Sequence, residues 1–182
     1  MLQGYAANLQ SSILDKESSG DYSAINRLGY AGGYQFGASA LETLGFLKSG
    51  SSGAGNKAAM NNAANWTGKN GVSSLGDFLQ NTDAQDTAFQ ENVDFNLNAL
   101  KRNGTVDAST PDDQIMGLLA ASHLLGAGGA SKNLSGTDAN GTSGQDYYNI
   151  GVAAYSPTNG STNDAVQQFF SSRTTGVTQS DP

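Results

Sequence analysis

Apolar residues recur every three or four positions along most of this chain, the spacing that predicts amphipathic α-helices. The pattern predicts helices at residues 5–17, 38–47, 57–65, 75–79, 83–102, 111–125, 145–155 and 164–172. Strand signals are scarce, so we expect a mainly α fold, with at most a small β-hairpin in a long glycine-rich loop at 18–37. The chain has 182 residues, and we expect a single domain over 1–172 followed by a frayed tail at 173–182.

Two of the predicted helices begin with recognisable capping signals. Thr82 and Gln85 have the spacing of a capping box ahead of the helix at 83–102. Thr110 followed by Pro111 fits an N-cap residue and a proline in the first turn. On the helix predicted at 145–155, Tyr148, Val152 and Tyr155 form a stripe.

One acidic residue lies on an apolar helix face. Leu9, Ile13 and Glu17 are four positions apart, so a helix over 5–17 places the carboxyl group in line with the buried stripe. Burial and the negative end of the helix dipole both favour the protonated form of this acid, which is the form that a general acid needs. The alternative on local evidence is a solvated or capping glutamate.

The composition excludes several classes of function. Sixteen acidic against nine basic residues give a net charge of −7, which argues against nucleic acids and anionic membranes as partners. The chain has no cysteine and one histidine, so thiol nucleophiles, thiolate metal sites and multi-histidine metal centres are excluded. No apolar run approaches the roughly 20 residues that span a bilayer, and no export signal is visible. We therefore expect no metal, no organic cofactor and no integral membrane association.

Two segments carry a resemblance to a known superfamily. Glu17-Ser18 is followed, after a turn, by Gly-Tyr-Ala-Gly-Gly-Tyr-Gln-Phe-Gly at 29–37, with Gln35 eighteen positions after the acid. This resembles the catalytic helix and following loop of lytic transglycosylases and goose-type lysozymes. The Tyr-Gln-Phe-Gly form is closest to phage-encoded, virion-associated peptidoglycan hydrolases.

The second segment strengthens the resemblance. Residues 120–130 read Ala-Ala-Ser-His-Leu-Leu-Gly-Ala-Gly-Gly-Ala, and with the residues at 138–143 and 146–147 they resemble the later part of the same phage group. The likeness spans roughly residues 10–155 and does not cover the tail.

The resemblance implies a lysozyme-like helical domain that cleaves the MurNAc–GlcNAc β-1,4 bond of peptidoglycan, with Glu17 as the acid. The substrate-binding residues we expect are Gln35, Tyr34, Tyr30, Asn26, Asp21 and His123. If the loop is extended at this point, Tyr34 and Phe36 point to opposite sides, and we expect Tyr34 to face the groove. Three of these residues also have structural alternatives: Asp21 as a cap of its own turn, Gln35 as a partner of its loop backbone, and His123 as a hydrogen-bonded buried histidine.

The departures from the family pattern leave the product open. Goose-type lysozymes have helper aspartates at positions where this chain has Tyr30 and Leu41. A single-glutamate mechanism is therefore favoured, and the product is either an anhydro-sugar or a reducing sugar. A calcium loop beginning at residue 138 is not expected, because Asn149 stands where the closing glutamate belongs.

Rival functions remain at this stage. One is a non-catalytic cell-wall-binding or virion structural module with the same fold, and another is a chitinase-type glycoside hydrolase. An amidase or peptidase is not favoured, because the chain has neither a zinc-ligand set nor a Cys/His pair. We expect action in the bacterial periplasm or cell wall, with delivery by a phage virion, a lysis cassette or a secretion system as the open routes.

Overall fold

The computed structural model describes residues 3–137 and 141–155, with side chains from residue 7 onward. This part of the chain forms seven α-helices: α1 (Gln3–Ser18), α2 (Ala38–Thr43), α3 (Asn56–Asn61), α4 (Leu75–Gln80), α5 (Thr82–Arg102), α6 (Asp112–Ala130) and α7 (Gly144–Ala154). The same residues contain isolated antiparallel bridges and no extended strand. The mainly α fold class is therefore confirmed, while the predicted helix at 164–172 and the tail at 173–182 lie outside the described residues.

Helix α1 turns its apolar stripe into the core, as its pattern predicts. Leu9 and Ile13 are fully buried, and the helix contacts α5, α6 and α7. Ser19 and Gly20 adopt positive φ angles of 55° and 85°, which end the helix directly after Ser18. Glu17 therefore lies in the last turn, at the edge of the core.

Two of the shorter predicted helices end earlier than their apolar patterns suggest. The helix predicted at 38–47 is α2, which ends at Thr43 because Gly45 turns the chain with a φ of 75°. The helix predicted at 57–65 is divided at Asn62, whose extended backbone separates α3 from a 3-10 turn at Ala63–Asn65.

The start of α5 corrects one predicted cap. Asn81 is the N-cap residue, because its side chain accepts a hydrogen bond from the N–H of Ala84 at 2.9 Å. Thr82 is already inside the helix, and Gln85 is completely buried. The predicted Thr82–Gln85 capping box is therefore wrong.

Helix α6 also differs from its predicted bounds. Pro111 takes the N-cap position without a side-chain cap, and the Thr110 hydroxyl accepts from the N–H of Asp107 instead. The helix continues beyond residue 125 to Ala130, with a break at Gly126, where φ is 67° and ψ is 162°. No described helix, including this strongly apolar one, has the length and apolarity needed to cross a bilayer.

Helix α7 packs closely against α6. A Cβ added at Gly151 would lie 2.2 Å from the backbone oxygen of Met116, so the two backbones can approach this far only because residue 151 is glycine. The buried positions of α7 include Tyr147, Gly151 and Ala154. The predicted stripe of Tyr148, Val152 and Tyr155 lies beside these positions and is half-buried, with Tyr148 packed against the core.

The long loop between α1 and α2 is held in place by α5. The side-chain oxygen of Gln85 accepts from the N–H of Gly33 at 2.8 Å, and its amide nitrogen donates to the backbone oxygens of Tyr22 and Phe78 at 3.0 and 2.7 Å. Gly32 lies against the same carboxamide, where an added Cβ would come within 2.3 Å of the Gln85 oxygen. One buried amide thus connects the loop, α4 and α5.

Replacing Gln85 with leucine should strongly destabilise the protein. The substitution leaves the buried N–H of Gly33 without its partner and removes the amide donor from the backbone oxygens of Tyr22 and Phe78, which should lower the free energy of unfolding by about 2 to 4 kcal/mol. Urea denaturation measures this loss. The matched control is Gln90→Leu at an exposed position of the same helix, and an equal loss in both variants would contradict the role assigned to Gln85.

Candidate active site

A cleft of about 540 Å³ opens where the end of α1 faces the long loop, α6 and α7. Lys16 and Glu17 line it from α1, and His123 and Leu124 line it from α6. The remaining polar and aromatic side chains of the lining are Asn26, Tyr30, Gln35, Thr137, Thr142 and Tyr147. The sequence-predicted residues Glu17, Asn26, Tyr30, Gln35 and His123 are therefore brought together in one cavity.

Glu17 is partly withdrawn from solvent but still reaches the cleft. Its side chain is 16% exposed. The Tyr147 hydroxyl donates a hydrogen bond of 2.5 Å to Oε1, and Nε2 of His123 lies 3.4 Å from the same oxygen. Because both contacts fall on Oε1, the carboxyl group is fixed in orientation and Oε2 is the oxygen available to a bound molecule.

His123 is both a structural residue and a neighbour of the acid. Its side chain is 7% exposed, and Nε2 lies 2.9 Å from the backbone oxygen of Tyr34. That oxygen can only accept, so Nε2 carries the hydrogen. Nδ1 lies 3.5 Å from the side-chain nitrogen of Asn92, a donor that suits an unprotonated Nδ1. The imidazole therefore ties α6 to the loop through this N–H, and the same nitrogen lies beside Oε1 of Glu17.

Gln35 has the two roles that the sequence left as alternatives. Its side-chain nitrogen donates to the backbone oxygen of Gly32 at 2.8 Å, so it stabilises its own loop. The same side chain lines the cleft. Its φ of 49° lies in the left-handed region that residues other than glycine seldom adopt, and such backbone strain is common at functional sites.

Asn26 and Tyr30 form the outer part of the cleft wall. The side-chain oxygen of Asn26 accepts from the N–H groups of Leu28 and Tyr30 at 2.8 and 3.1 Å, which fixes the turn between them. Tyr30 is 39% exposed. Its ring is therefore available to contact a bound ligand.

Tyr34 does not face the groove, which corrects the sequence prediction. It is completely buried, stacks on Phe89 with ring centroids 4.6 Å apart, and donates from its hydroxyl to Asp86 at 2.6 Å. The prediction assumed an extended backbone, but Gln35 is left-handed and its N–H bonds to the backbone oxygen of Gly32. This turn brings Tyr34 and Phe36 to the same side, and both are buried.

Asp21 does not line the cleft either. It is exposed, and its Oδ1 accepts from the backbone N–H and the hydroxyl of Ser23 at 2.8 and 2.6 Å. Those hydrogen bonds, that of the Ser23 side chain first, lower the pKa of Asp21. The residue is a cap of its own turn, which was the structural alternative.

Tyr147 lines the cleft but was not among the residues expected in the site. The apolar pattern of α7 singles out Tyr148, Val152 and Tyr155, whereas Tyr147 shares its buried face with Gly144, Gly151 and Ala154. The usable signal was the helical spacing of Gly144, Tyr147, Gly151 and Ala154, because glycines on one helix face indicate close packing against a neighbouring helix.

No cluster of three or more histidine, cysteine, aspartate or glutamate side chains that could hold a metal ion occurs within residues 3–137 and 141–155. Comparison with models of protein families, with curated proteins and with solved structures gives no match to this chain. The superfamily resemblance therefore rests on the sequence motifs alone and stays a hypothesis.

Buried Tyr34, hydrogen-bonded to the half-buried Asp86, predicts a loss of stability at alkaline pH. Burial, followed by the hydrogen bond to Asp86, raises the pKa of Tyr34, whereas a tyrosine in an unfolded chain has a pKa of about 10. Above about pH 10 the unfolded chain therefore releases a proton that the folded protein retains, and stability falls as the pH rises.

Measuring the free energy of unfolding at several pH values between 8 and about 11 tests this dependence. In Tyr34→Phe the alkaline fall should be smaller than in the parent, although Tyr22, whose pKa is also raised by burial, still contributes. An equally steep fall in both proteins would contradict the assignment.

Proposed function

We propose that this protein cleaves the glycan strand of peptidoglycan at the MurNAc–GlcNAc β-1,4 bond, with Glu17 as general acid and then base. The observation that carries the proposal is the carboxyl group of Glu17, which is 16% exposed, is held through Oε1 by Tyr147 and lines a cleft of about 540 Å³. Cleavage of a glycosidic bond needs a protonated acid next to the leaving oxygen. Oε2 of Glu17 is the atom that would supply this proton.

The uncharged part of the cleft lining suits a glycan. Asn26 and Gln35 contribute carboxamides, and Tyr30 contributes an exposed ring. Such groups can hydrogen-bond the hydroxyl and N-acetyl groups of a sugar and cover its apolar face. This combination supports peptidoglycan glycan as the substrate.

The shortage of acids in the cleft supports a single-glutamate mechanism. Among the described residues that line it, Glu17 is the only carboxylate. Glycosidases that act with two carboxyl groups need the second one near the same bond. With one glutamate, Glu17 would protonate the leaving oxygen as the glycosidic C–O bond breaks and the substrate's own acetamido oxygen bonds to the sugar carbon. Glu17 would then take a proton from the attacking 6-hydroxyl, which gives the anhydro-sugar, or from an attacking water, which gives the reducing sugar. Muramidase and lytic transglycosylase products both remain within the proposal.

Replacing Glu17 with glutamine should abolish cleavage while retaining the shape of the site. The amide cannot supply a proton, so we expect the clearing rate of a purified cell-wall suspension to fall by at least about 100-fold. The decrease in turbidity over time measures this rate. Asp15→Asn is the matched control, because Asp15 is an exposed acid of the same helix, and it should clear at the parent rate.

Two outcomes would count against the proposal. If Glu17→Gln clears the suspension as fast as the parent, Glu17 is not the acid. If the parent binds cell walls without releasing any soluble fragment, the chain is a non-catalytic wall-binding module.

A further inference from the structure

A second cavity of about 330 Å³ adjoins the cleft on the side of α2 and α5. Tyr30, Gln35, His123 and Leu124 line both cavities. The two spaces are therefore parts of one groove that passes over the side chains of the loop and α6. We call the second part the amide chamber, after the asparagines Asn56, Asn92 and Asn96 that line it.

The described lining of the amide chamber contains no aspartate, glutamate, lysine or arginine. This differs from the cleft, where Lys16 and Glu17 both reach the cavity. A ligand with free carboxylates would find no cation to pair with in the chamber, and burying an unpaired charge is costly. The chamber therefore favours an uncharged ligand.

Asn96 offers a hydrogen-bond acceptor in this chamber. The residue is 5% exposed, and its side-chain nitrogen donates to Oδ1 of Asn92 at 3.3 Å. Among the described residues none donates a hydrogen bond to its own side-chain oxygen. An amide oxygen accepts hydrogen bonds, so this oxygen suits a donor on a molecule bound in the chamber, such as the N–H of an acetamido group.

Two aromatic rings add an apolar surface to the chamber. Phe95 on α5 is 47% exposed and Tyr30 on the loop is 39% exposed, and both line the cavity. Exposed large aromatic side chains beside polar groups are typical of ligand-binding surfaces. The C–H face of a sugar ring is a suitable partner for such rings.

We propose that the amide chamber binds an uncharged N-acetylhexosamine ring, the GlcNAc unit of the strand, and that the sugar bearing the lactyl group and peptide lies in the cleft beside Lys16. The inference rests on the proposed function for the identity of the strand. A stem peptide is the rival occupant, but it carries carboxylates, the chamber has no described cationic lining, and the chain has a net charge of −7.

The experiment is a calorimetric titration of the full chain carrying Glu17→Gln with the trimer of β-1,4-linked N-acetylglucosamine, so that cleavage does not consume the ligand. Phe95→Ala in this background should weaken binding about threefold to tenfold, the range expected for loss of one aromatic contact. Ile25→Ala is the matched control, since Ile25 is 49% exposed and lines neither cavity. It should leave the affinity unchanged.

The proposal would be overturned if the trimer binds equally well with and without Phe95→Ala. It would also be overturned if Phe95→Ala weakens the binding of a stem tetrapeptide and leaves the binding of the trimer unchanged. The test is independent of catalysis. A parent protein that clears no cell wall but binds the trimer through Phe95 would remove the proposed reaction and retain this site. If the parent clears cell wall but Phe95→Ala does not change the affinity for the trimer, the proposed reaction is retained and this binding site is removed.

Discussion

The buried carboxamide of Gln85 determines where one wall of the cleft lies. It bonds to the backbone of Gly33, Tyr22 and Phe78, and neighbouring Asp86 accepts hydrogen bonds from the hydroxyls of two loop tyrosines. A glycine-rich loop loses much conformational entropy on folding, so it needs such fixed contacts to adopt one structure. Without them, the side chains that face Glu17 from the loop would have no defined position.

The opposite wall depends on the close approach of α6 and α7. Gly151 lets the backbone of α7 come against Met116, and one result is that the Tyr147 hydroxyl reaches Oε1 of Glu17. His123 on α6 links this wall to the loop through the backbone oxygen of Tyr34. Glu17 is therefore held by contacts from α6 and α7 while the loop completes the cavity. The small side chain at Gly151 is what allows this close packing.

Much of this arrangement follows from residue spacing. The four-residue spacing of Leu9, Ile13 and Glu17 predicted an acid at the edge of the core, because helical periodicity depends only on local geometry. The observed bounds of α1, α4 and α5 lie close to the predicted ones for the same reason.

The errors arose where tertiary contacts override local pattern. Tyr34 is buried because Gln35 adopts a left-handed backbone, which no two-residue alternation can indicate. Gln85 is buried because it serves the backbone of a distant loop, although its spacing from Thr82 suggested a cap. Tyr147 lies on a face whose other members include glycine and alanine, so the apolar pattern did not reveal it.

Mass spectrometry of the fragments that the parent protein releases from purified peptidoglycan tests the central claim most directly. The account predicts new glycan ends with intact stem peptides. The MurNAc end would be a reducing sugar after hydrolysis, or an anhydro-sugar lighter by one water after transglycosylation. Fragments cut within the peptides, from glycan strands of unchanged length, would contradict it.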